Sequence, residues 1–511
     1  LGYVQTPMLG QRPWTRAECA RLLEEVGDAL PLDSARGDQA GIIYRSLKDE
    51  FLPEEEGSSR SARPFLRLDS IYTRVTEVSG PPLTDDYNFG RTIVNDFGRP
   101  FQRGTNVYSG ASGYGTAGPF AFYIKAEYQY APSAPGFSAA VRQAIADQES
   151  VPVAPDKPFA EVNRLDIVEG YLSAAYKGMQ FSFGKQALSW GPTETGSLIW
   201  STNSEPVNMF RISNLQPFSL PGIFHFLGPV QTEFFVGQLH GQQYILTANG
   251  IVGPSSFNPQ PFIHGQKLSF KPTPNLEFGF SRTVIFSGVG HPFTFGSFAR
   301  SFFNVSSGAA LDVRTDAGDR RSGFDFSYRL PHLRDWLTLY TDSFCEDDVS
   351  PLAAPHRCAW SPGLYLAKFP AIPKLDFRAE GVYTNVPGFQ AIGVNYQNVI
   401  YRSGYTNDGD LIGNWIGRQG IGAQIWSTYW LTPQTKIQAG YRRQRVDPDF
   451  LKGGKLDDFS ITTDLMLRPD LALSGTAQYE NWNFPLLAAT TKSNLSLSMM
   501  LTFRPKWGSL R

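Results

Sequence analysis

No stretch of the 511-residue sequence approaches the roughly 18 consecutive apolar residues that a membrane-spanning helix needs. That absence excludes helical spans. It does not exclude a barrel, whose strands need one lipid-facing apolar side and therefore average out in hydropathy. Cysteine is scarce, with three residues, and the six histidines (225, 240, 264, 291, 332 and 356) are scattered with no HxxxH-type pairing, so no zinc spacing is present. No GxSxG marks a nucleophile, and nothing local marks a pair of catalytic carboxylates. A formal net charge of -1 provides no basic field, which argues against a nucleic-acid partner. No catalytic residue, metal or cofactor is expected on these grounds.

Nor does any linker divide the chain after about residue 60, although a soluble chain of this length would normally split into domains of roughly 100–200 residues. The 49 Gly and 37 Pro have no period, which rules out a collagen-like chain. With 22 Tyr and 38 Phe there is ample apolar surface to bury, which rules out disorder. The chain opens at Leu1 without Met or a signal peptide, which fits a processed, exported product.

The first sixty residues read as helical. In RPWTRAECARLLEEVGDAL, Thr15 can cap the first turn with Glu18 three residues on, a capping box, and Cys19, Leu22, Leu23 and Val26 form an apolar face at helical spacing. A second helix is expected over residues 39–51, with Ile42, Ile43, Leu47 and Phe51 as its face. Such short helices bury little alone and need a surface to pack against, for which the mouth of a barrel is one candidate and a small independent helical domain the other.

From residue 64 the period becomes two. Thr463–Leu467 runs through Arg468-Pro469-Asp470 into Leu471, Leu473, Gly475 and Ala477, and LSFKPTPNLEFGFSRTVIF and FDFSYRLPHLRDWLTLYTDSF have the same form. Each is two alternating segments around a tight turn, the signature of an antiparallel hairpin. Eighteen such segments fit between residues 64 and 504, among them 229–240 and 242–253, with short turns alternating with long connections. The even number places both termini on the short-turn side, as in an outer-membrane barrel. The sequence therefore predicts a mainly β chain: a periplasmic helical domain over 1–60 and a closed antiparallel transmembrane barrel of about 18 strands over 61–511. The barrel would lie in the bacterial outer membrane, with extracellular loops and both termini periplasmic. A soluble sandwich is the competing fold, but a barrel also removes the edges that so large a sheet must protect.

Cys345 and Cys358 end one strand and begin the next, so strand pairing can bring them within disulfide range, and an oxidising periplasm permits the bond. Cys19 is read as a buried thiol. The largest outer connections are 79–103, 132–160, 187–228, 288–319 and 384–417, and loops this long are unusual without a function. Segment 187–228 carries Trp190, Trp200, Asn203, Asn208, Arg211 and Asn214, and segment 402–417 carries Asp408, Asp410 and Trp415. Flat aromatic faces beside amides and a guanidinium suit sugar rings. The same residues can instead fold inward and plug the barrel. The DGD at 408–410 lacks the remaining ligands of a calcium loop.

The stretches RPWTRAECARLLEE, GPPLTDDYNFGRTIVNDFGRP, FSFGKQALSWGPTETGSLIWSTNSEPVNMFRISN, FFVGQLHG and KPTPNLEFGFSRTVIF resemble the Wzi-type capsule assembly family, in its acidobacterial-like branch. The most specific segment is Gly184, Lys185, Gln186, Trp190, Gly191 and Pro192. The resemblance implies an 18-stranded outer-membrane barrel with a periplasmic helical bundle, here with a shorter helical region. It also implies a lectin-like, non-enzymatic anchor for capsular or other exported polysaccharide, with secretion left to separate export machinery. The expected partners are the exported polysaccharide, outer-membrane lipid and lipopolysaccharide, and that machinery. Two other functions stay in play, a porin-like diffusion channel and an outer-membrane hydrolase.

Overall fold

Period two is realised in eighteen long strands. The computed structural model describes residues 3–29, 39–51, 64–303, 316–347, 350–386 and 392–505. In chain order the strands are β1 (Phe65–Val78), β2 (Gly104–Ala117), β3 (Phe120–Ala131), β4 (Val162–Tyr176), β5 (Met179–Gln186), β6 (Val207–Asn214), β7 (Pro229–Gln238), β8 (Phe262–Thr273) and β9 (Leu276–Phe286). They continue with β10 (Asp319–Arg329), β11 (Leu337–Glu346), β12 (Ala359–Leu366), β13 (Leu375–Tyr383), β14 (Gly420–Thr432), β15 (Thr435–Val446), β16 (Gly454–Arg468), β17 (Leu471–Asn483) and β18 (Lys492–Phe503). Each pairs antiparallel with the next, and β1 pairs with β18, from Ile71 opposite Phe503 to Val78 opposite Ser496, closing the barrel without an edge.

Burial along the strands is inverted relative to a water-soluble protein. In β18, Leu495, Leu497, Met499 and Leu501 are between 42% and 61% exposed, whereas Asn494, Ser496 and Thr502 are 8% exposed or less. Leu165, Leu172 and Phe183 are likewise exposed, while Glu127, Lys267, Asp325, Arg442 and Glu480 are buried. A continuous apolar outer band on a wall that buries charged groups inside is stable only where the surroundings are hydrocarbon, so the wall spans a membrane. Tight connections such as 118–119, 177–178, 274–275, 433–434 and 469–470 lie at the periplasmic end, and the long loops lie at the extracellular end.

The expected number of strands is present, but one of them was misplaced. Residues 242–253 are not in the wall: Ile245–Thr247 and Gly250–Val252 form a small separate hairpin inside an outer loop. The missing wall strand is β6, inside the segment expected to be the loop 187–228. Val207 and Met209 point inward onto an apolar interior and are buried, while Phe210 faces outward. Both parities are therefore apolar, and the period-two contrast vanishes. The connection after β6, at 215–228, is not tight either and includes a 3-10 turn at Gly222–Leu227.

At the periplasmic end, α1 (Arg16–Ala29) packs on α2 (Gln39–Phe51). Thr15 caps α1, accepting from the Glu18 amide at 3.0 Å. The reciprocal half of the capping box is not made, because both Glu18 oxygens are taken by Arg21, at 2.6 and 2.8 Å. Leu22 and Leu23 are buried as expected, but Cys19 is only half-buried, and Ile42 and Leu47 on α2 are exposed. The helices lie against the tight turns: Gln434 donates to Ser46 at 3.0 Å, and the Arg16 guanidinium sits 5.6 Å from the Tyr114 ring. A disulfide joins Cys345 at the end of β11 to Cys358 just before β12, with Cα atoms 4.5 Å apart. Among the described residues two further helices occur in outer connections, α3 (Ala139–Glu149), capped by Ser138, and α4 (Phe295–Phe303).

Candidate ligand-binding site at the outer mouth

The outer loops turn inward and fill the lumen. Leu188, Trp190, Leu198, Ile199 and Trp200 from one loop and Tyr396, Tyr401, Tyr405, Leu411 and Trp415 from another form a buried cluster, which meets the wall at Val207, Phe235, Ile263, Ile285, Phe344 and Val382. Loop backbone needs partners in such a place, since a buried unpaired amide costs about 1–3 kcal/mol. Acids on the inner wall supply them. Glu380 accepts from the Glu194 and Thr195 amides at 2.9 Å each, Asp342 from the Leu198 amide at 2.9 Å, and Glu346 from the Tyr396 amide at 2.7 Å.

A strap formed by residues 3–12 enters from the periplasmic side. Glu277 accepts from the Leu9 and Gly10 amides at 2.8 Å each, and Gln11 and Arg12 pair in register with Trp190 and Ser189. Arg12 also donates to the Thr193 carbonyl at 2.7 Å and the Gly191 carbonyl at 3.2 Å. Gly191, at φ 150°, is required here: a Cβ would lie 2.7 Å from Ser197 Oγ and 2.8 Å from Asp342 Oδ2. The lumen is thus packed from both ends.

Four of the six residues expected to face sugar belong to this plug. Trp190 donates its indole N–H to Glu233 at 2.6 Å and packs on Phe235, with centroids 5.3 Å apart; Trp200 packs on the same ring at 4.6 Å. Asn203 donates to Asp86 and to the Leu411 carbonyl at 3.1 Å, and accepts from the Asn95 amide at 3.2 Å. Trp415 is buried beneath the Arg442 guanidinium, 5.0 Å from its ring. None of these aromatic faces is open to a solute. Asn214 also stays within the wall, accepting from the Thr232 amide and hydroxyl. Arg211, on β6, is held by Glu233, with Nε at 3.0 Å. Of the family-motif residues, Gln186 is buried against the Met209 carbonyl and Ser182, Pro192 is buried in the plug, and a side chain at Gly184 (φ 131°) would collide with the Gly170 carbonyl.

The remaining two sugar-facing and motif candidates, Asn208 and Lys185, come together elsewhere. At the extracellular end, between β4, β5 and β6 and the loops, lies an open cleft of about 660 Å³ lined by Arg164, Asp166, Lys185, Glu205, Asn208 and Asp408, with Phe101 and Phe159 at its side. Lys185 bridges Glu205 and Asp166, the latter at 3.6 Å. Arg164 reaches Asp166 at 3.2 Å while staying more than half exposed. The DGD at 408–410 is the turn of a two-residue hairpin, Thr406–Asn407 against Asp410–Leu411, with positive φ at Asp408 and Gly409. It leaves Asp408 exposed on the rim and turns Asp410 inward to Arg91. Burial pushes the Asp410 carboxyl up, to about 7, against the pull of Arg91. Among the described residues no three His, Cys, Asp or Glu side chains converge as a metal site.

Sequence reasoning had given Lys185 and Asn208 but had not singled out Arg164, Asp166 or Glu205, nor the wall acids that hold the plug. The available signal was a carboxylate within a strand at an inward-facing position, as at Glu233, Glu277, Asp342 and Glu380.

A structure of similar architecture is Wzi of Escherichia coli, an outer-membrane protein described as a carbohydrate-binding β-barrel involved in group 1 capsule assembly. It superposes with a TM-score of 0.69 at 16% identity, covering 99% of this chain and 96% of that one. A Klebsiella pneumoniae chain, an uncharacterized 55.8 kDa protein in the cps region, is 27% identical over 184 residues. That match covers 34% of this chain and spans 33% of the Klebsiella protein. The model of the capsule assembly protein Wzi family matches residues 74–497. With that match over most of its length and the same barrel around it, the chain belongs to the Wzi capsule assembly family.

Proposed function

We propose that the protein binds exported polysaccharide at the cell surface, without cleaving it, and that the cleft between β4–β6 and the outer loops receives the polymer. The observation that carries this reading is the contrast between a packed lumen and an open polar cleft at the extracellular mouth. A diffusion channel needs the reverse. Charged and amide groups of both kinds, beside the exposed Phe159, offer hydroxyl-binding donors and acceptors next to an apolar ring. The carbohydrate binding described for the Escherichia coli protein of this fold points the same way.

In this reading residues 1–60 form an N-terminal unit whose helices α1 and α2 act on the periplasmic side of the barrel, 61–511, while its first residues reach into the lumen. Membrane lipid and lipopolysaccharide surround the wall, and separate export machinery delivers the polymer. The test is a binding titration of the detergent-purified chain with polysaccharide from its own host, beside Arg164→Ala, Asn208→Ala and Asp408→Ala combined. A Kd weakened about tenfold or more, roughly 1.4 kcal/mol, at an unchanged melting temperature supports the cleft. Wild-type affinity in the triple variant would reject it.

A further inference from the structure

The outer connection after β9 does not stay above the membrane. Its helix α4 lies on the outside of the barrel, along the wall of β7, β8 and β9. Strand parity fixes the side. Ile263 and Gly265 face the interior cluster, so His264 between them points outward, as does Phe234 between the inward Glu233 and Phe235. Thr283 accepts from the lumenal Tyr405 hydroxyl at 3.0 Å, so Arg282 next to it also points outward. A histidine and an arginine on a lipid-facing wall are costly unless covered and paired.

α4 covers them. Its start is fixed by a reciprocal pair, with the Ser297 amide donating to Thr294 Oγ at 3.0 Å and the Thr294 amide to Ser297 Oγ at 2.9 Å. Its end is held by Arg282, which donates to the Phe302 carbonyl at 2.9 Å, a cation at a helix C-terminus. Ser301 lies 3.1 Å from His264 Nε2, and the imidazole is fully buried between Phe298 and Phe302, with ring centroids 5.8 Å away on each side. Phe303, turned away from His264, is 77% exposed, and Phe295, at the start of the helix on the groove side, is 86% exposed. Exposed phenylalanines of that size are stable against hydrocarbon, not water.

Between the helix and the low wall of β5–β7 runs an apolar groove of about 530 Å³, formed by Met179, Ile212 and Phe234 on the wall and Phe295, Phe298 and Phe302 on the helix. It is continuous with the lipid-facing surface, where Leu172, Phe183, Leu268 and Phe280 stand open. We propose that α4 lies in the hydrocarbon layer against the wall and that the groove it forms with β5–β7 holds one acyl chain of a membrane lipid. The polar seat of His264 and Arg282 anchors the helix, and the hydrocarbon chain supplies the packing that the protein leaves unfilled.

The test uses the full chain in phosphatidylcholine vesicles doped with phosphatidylcholine carrying a diazirine at one chain end. After photolysis, adducts are expected to concentrate on Ile212, Phe234 and Phe302 over Leu172 on the open wall. Ala299→Trp, which fills the groove, should reduce the groove adducts about tenfold, equivalent to about 1.4 kcal/mol, while leaving those at Leu172. A nitroxide at Phe303→Cys, in a Cys19→Ser background, should be reached by oxygen in preference to a water-soluble nickel chelate. One at Val399→Cys, in an extracellular loop, should show the reverse order. Adducts spread evenly around the wall, or nickel reaching position 303 as readily as 399, overturn the proposal. The adduct map of the unmodified protein decides it even where the tryptophan variant fails to assemble.

Discussion

Trp190 donates its indole N–H to Glu233 at 2.6 Å, from a loop that enters at the extracellular end to a strand of the inner wall. The second oxygen of that carboxylate holds Arg211. A tryptophan that reads in isolation as a sugar platform is thereby made part of the barrel's filling. Its loop is fixed at three further points by Glu380 and Asp342, and from below by the strap carrying Gln11 and Arg12.

Trp190→Ala is expected to act on stability rather than on recognition. Removing a buried tryptophan from a packed cluster costs about 3–5 kcal/mol. Denaturant unfolding of the detergent-solubilised barrel should move by that order. Polysaccharide affinity of the fraction still folded should stay within a factor of two or so, less than the thermodynamic size of one tenfold step. A selective loss of affinity at full stability would return Trp190 to the binding site.

Wild-type protein in planar bilayers should show little steady ion conductance, because packed side chains occupy the lumen. Glu380→Ala with Asp342→Ala leaves the Glu194, Thr195 and Leu198 amides without their wall partners, at about 1–3 kcal/mol for each group. Frequent, flickering openings are expected in that variant. Equal conductance in both proteins would show that the 187–206 loop does not obstruct ion flow.

Reduction of Cys345–Cys358, or alanine at both positions, should weaken the barrel locally. The two cysteines are 13 residues apart, and closing a loop of about 15 residues is worth about 3 kcal/mol in the chain-entropy account. Proteolysis of the 347–358 connection should accelerate on reduction, while polysaccharide binding at the cleft of β4–β6 persists. An unchanged cleavage rate would mean that strand pairing alone holds this segment.

Asp85, in the loop after β1, gives a pH dependence of definite sign. Burial pushes its carboxyl up, to about 6, with hydrogen bonds from the Asn88 amide and side chain pulling the other way. An unfolded aspartate titrates near 3.9. The folded loop therefore favours the protonated form, so this contribution is full below about pH 4 and is lost as pH rises through about 6. Asp85→Asn should flatten the fall of melting temperature between pH 4.5 and 7.5 relative to wild type. Parallel curves for the two proteins would remove Asp85 as the cause.

Much of the architecture is legible along the chain because it depends on neighbours two, three or four residues apart. Alternation in Leu495–Leu501, the turn at Arg468-Pro469-Asp470 and the Thr15 cap all declare themselves locally. The strand-end positions of Cys345 and Cys358 were enough to anticipate their bond. Local reading failed where the environment differed from the assumed one. At β6 the inner surface is apolar, because the plug is, so Val207 and Met209 broke the expected contrast, while the hairpin around Ala248-Asn249 has strand chemistry but no place in the wall.

The sequence by itself determined the alternating strands and their even number. A period-two pattern with one apolar side also fits a soluble sandwich, and the closed wall with its apolar side turned outward decided for the membrane. Nor could the sequence determine which way the loops fold. That outcome rests on partners remote in the chain: Asn203 on Asp86, 117 residues away, Tyr396 on Leu198, 198 residues away, and Leu9 on Glu277, 268 residues away. Only when the closed wall brings those groups together does burying a tryptophan loop leave its amides satisfied. Pairing of β4 with β5 and of β5 with β6 sets their outer ends side by side, which gathers Arg164, Asp166, Lys185 and Asn208 into one cleft.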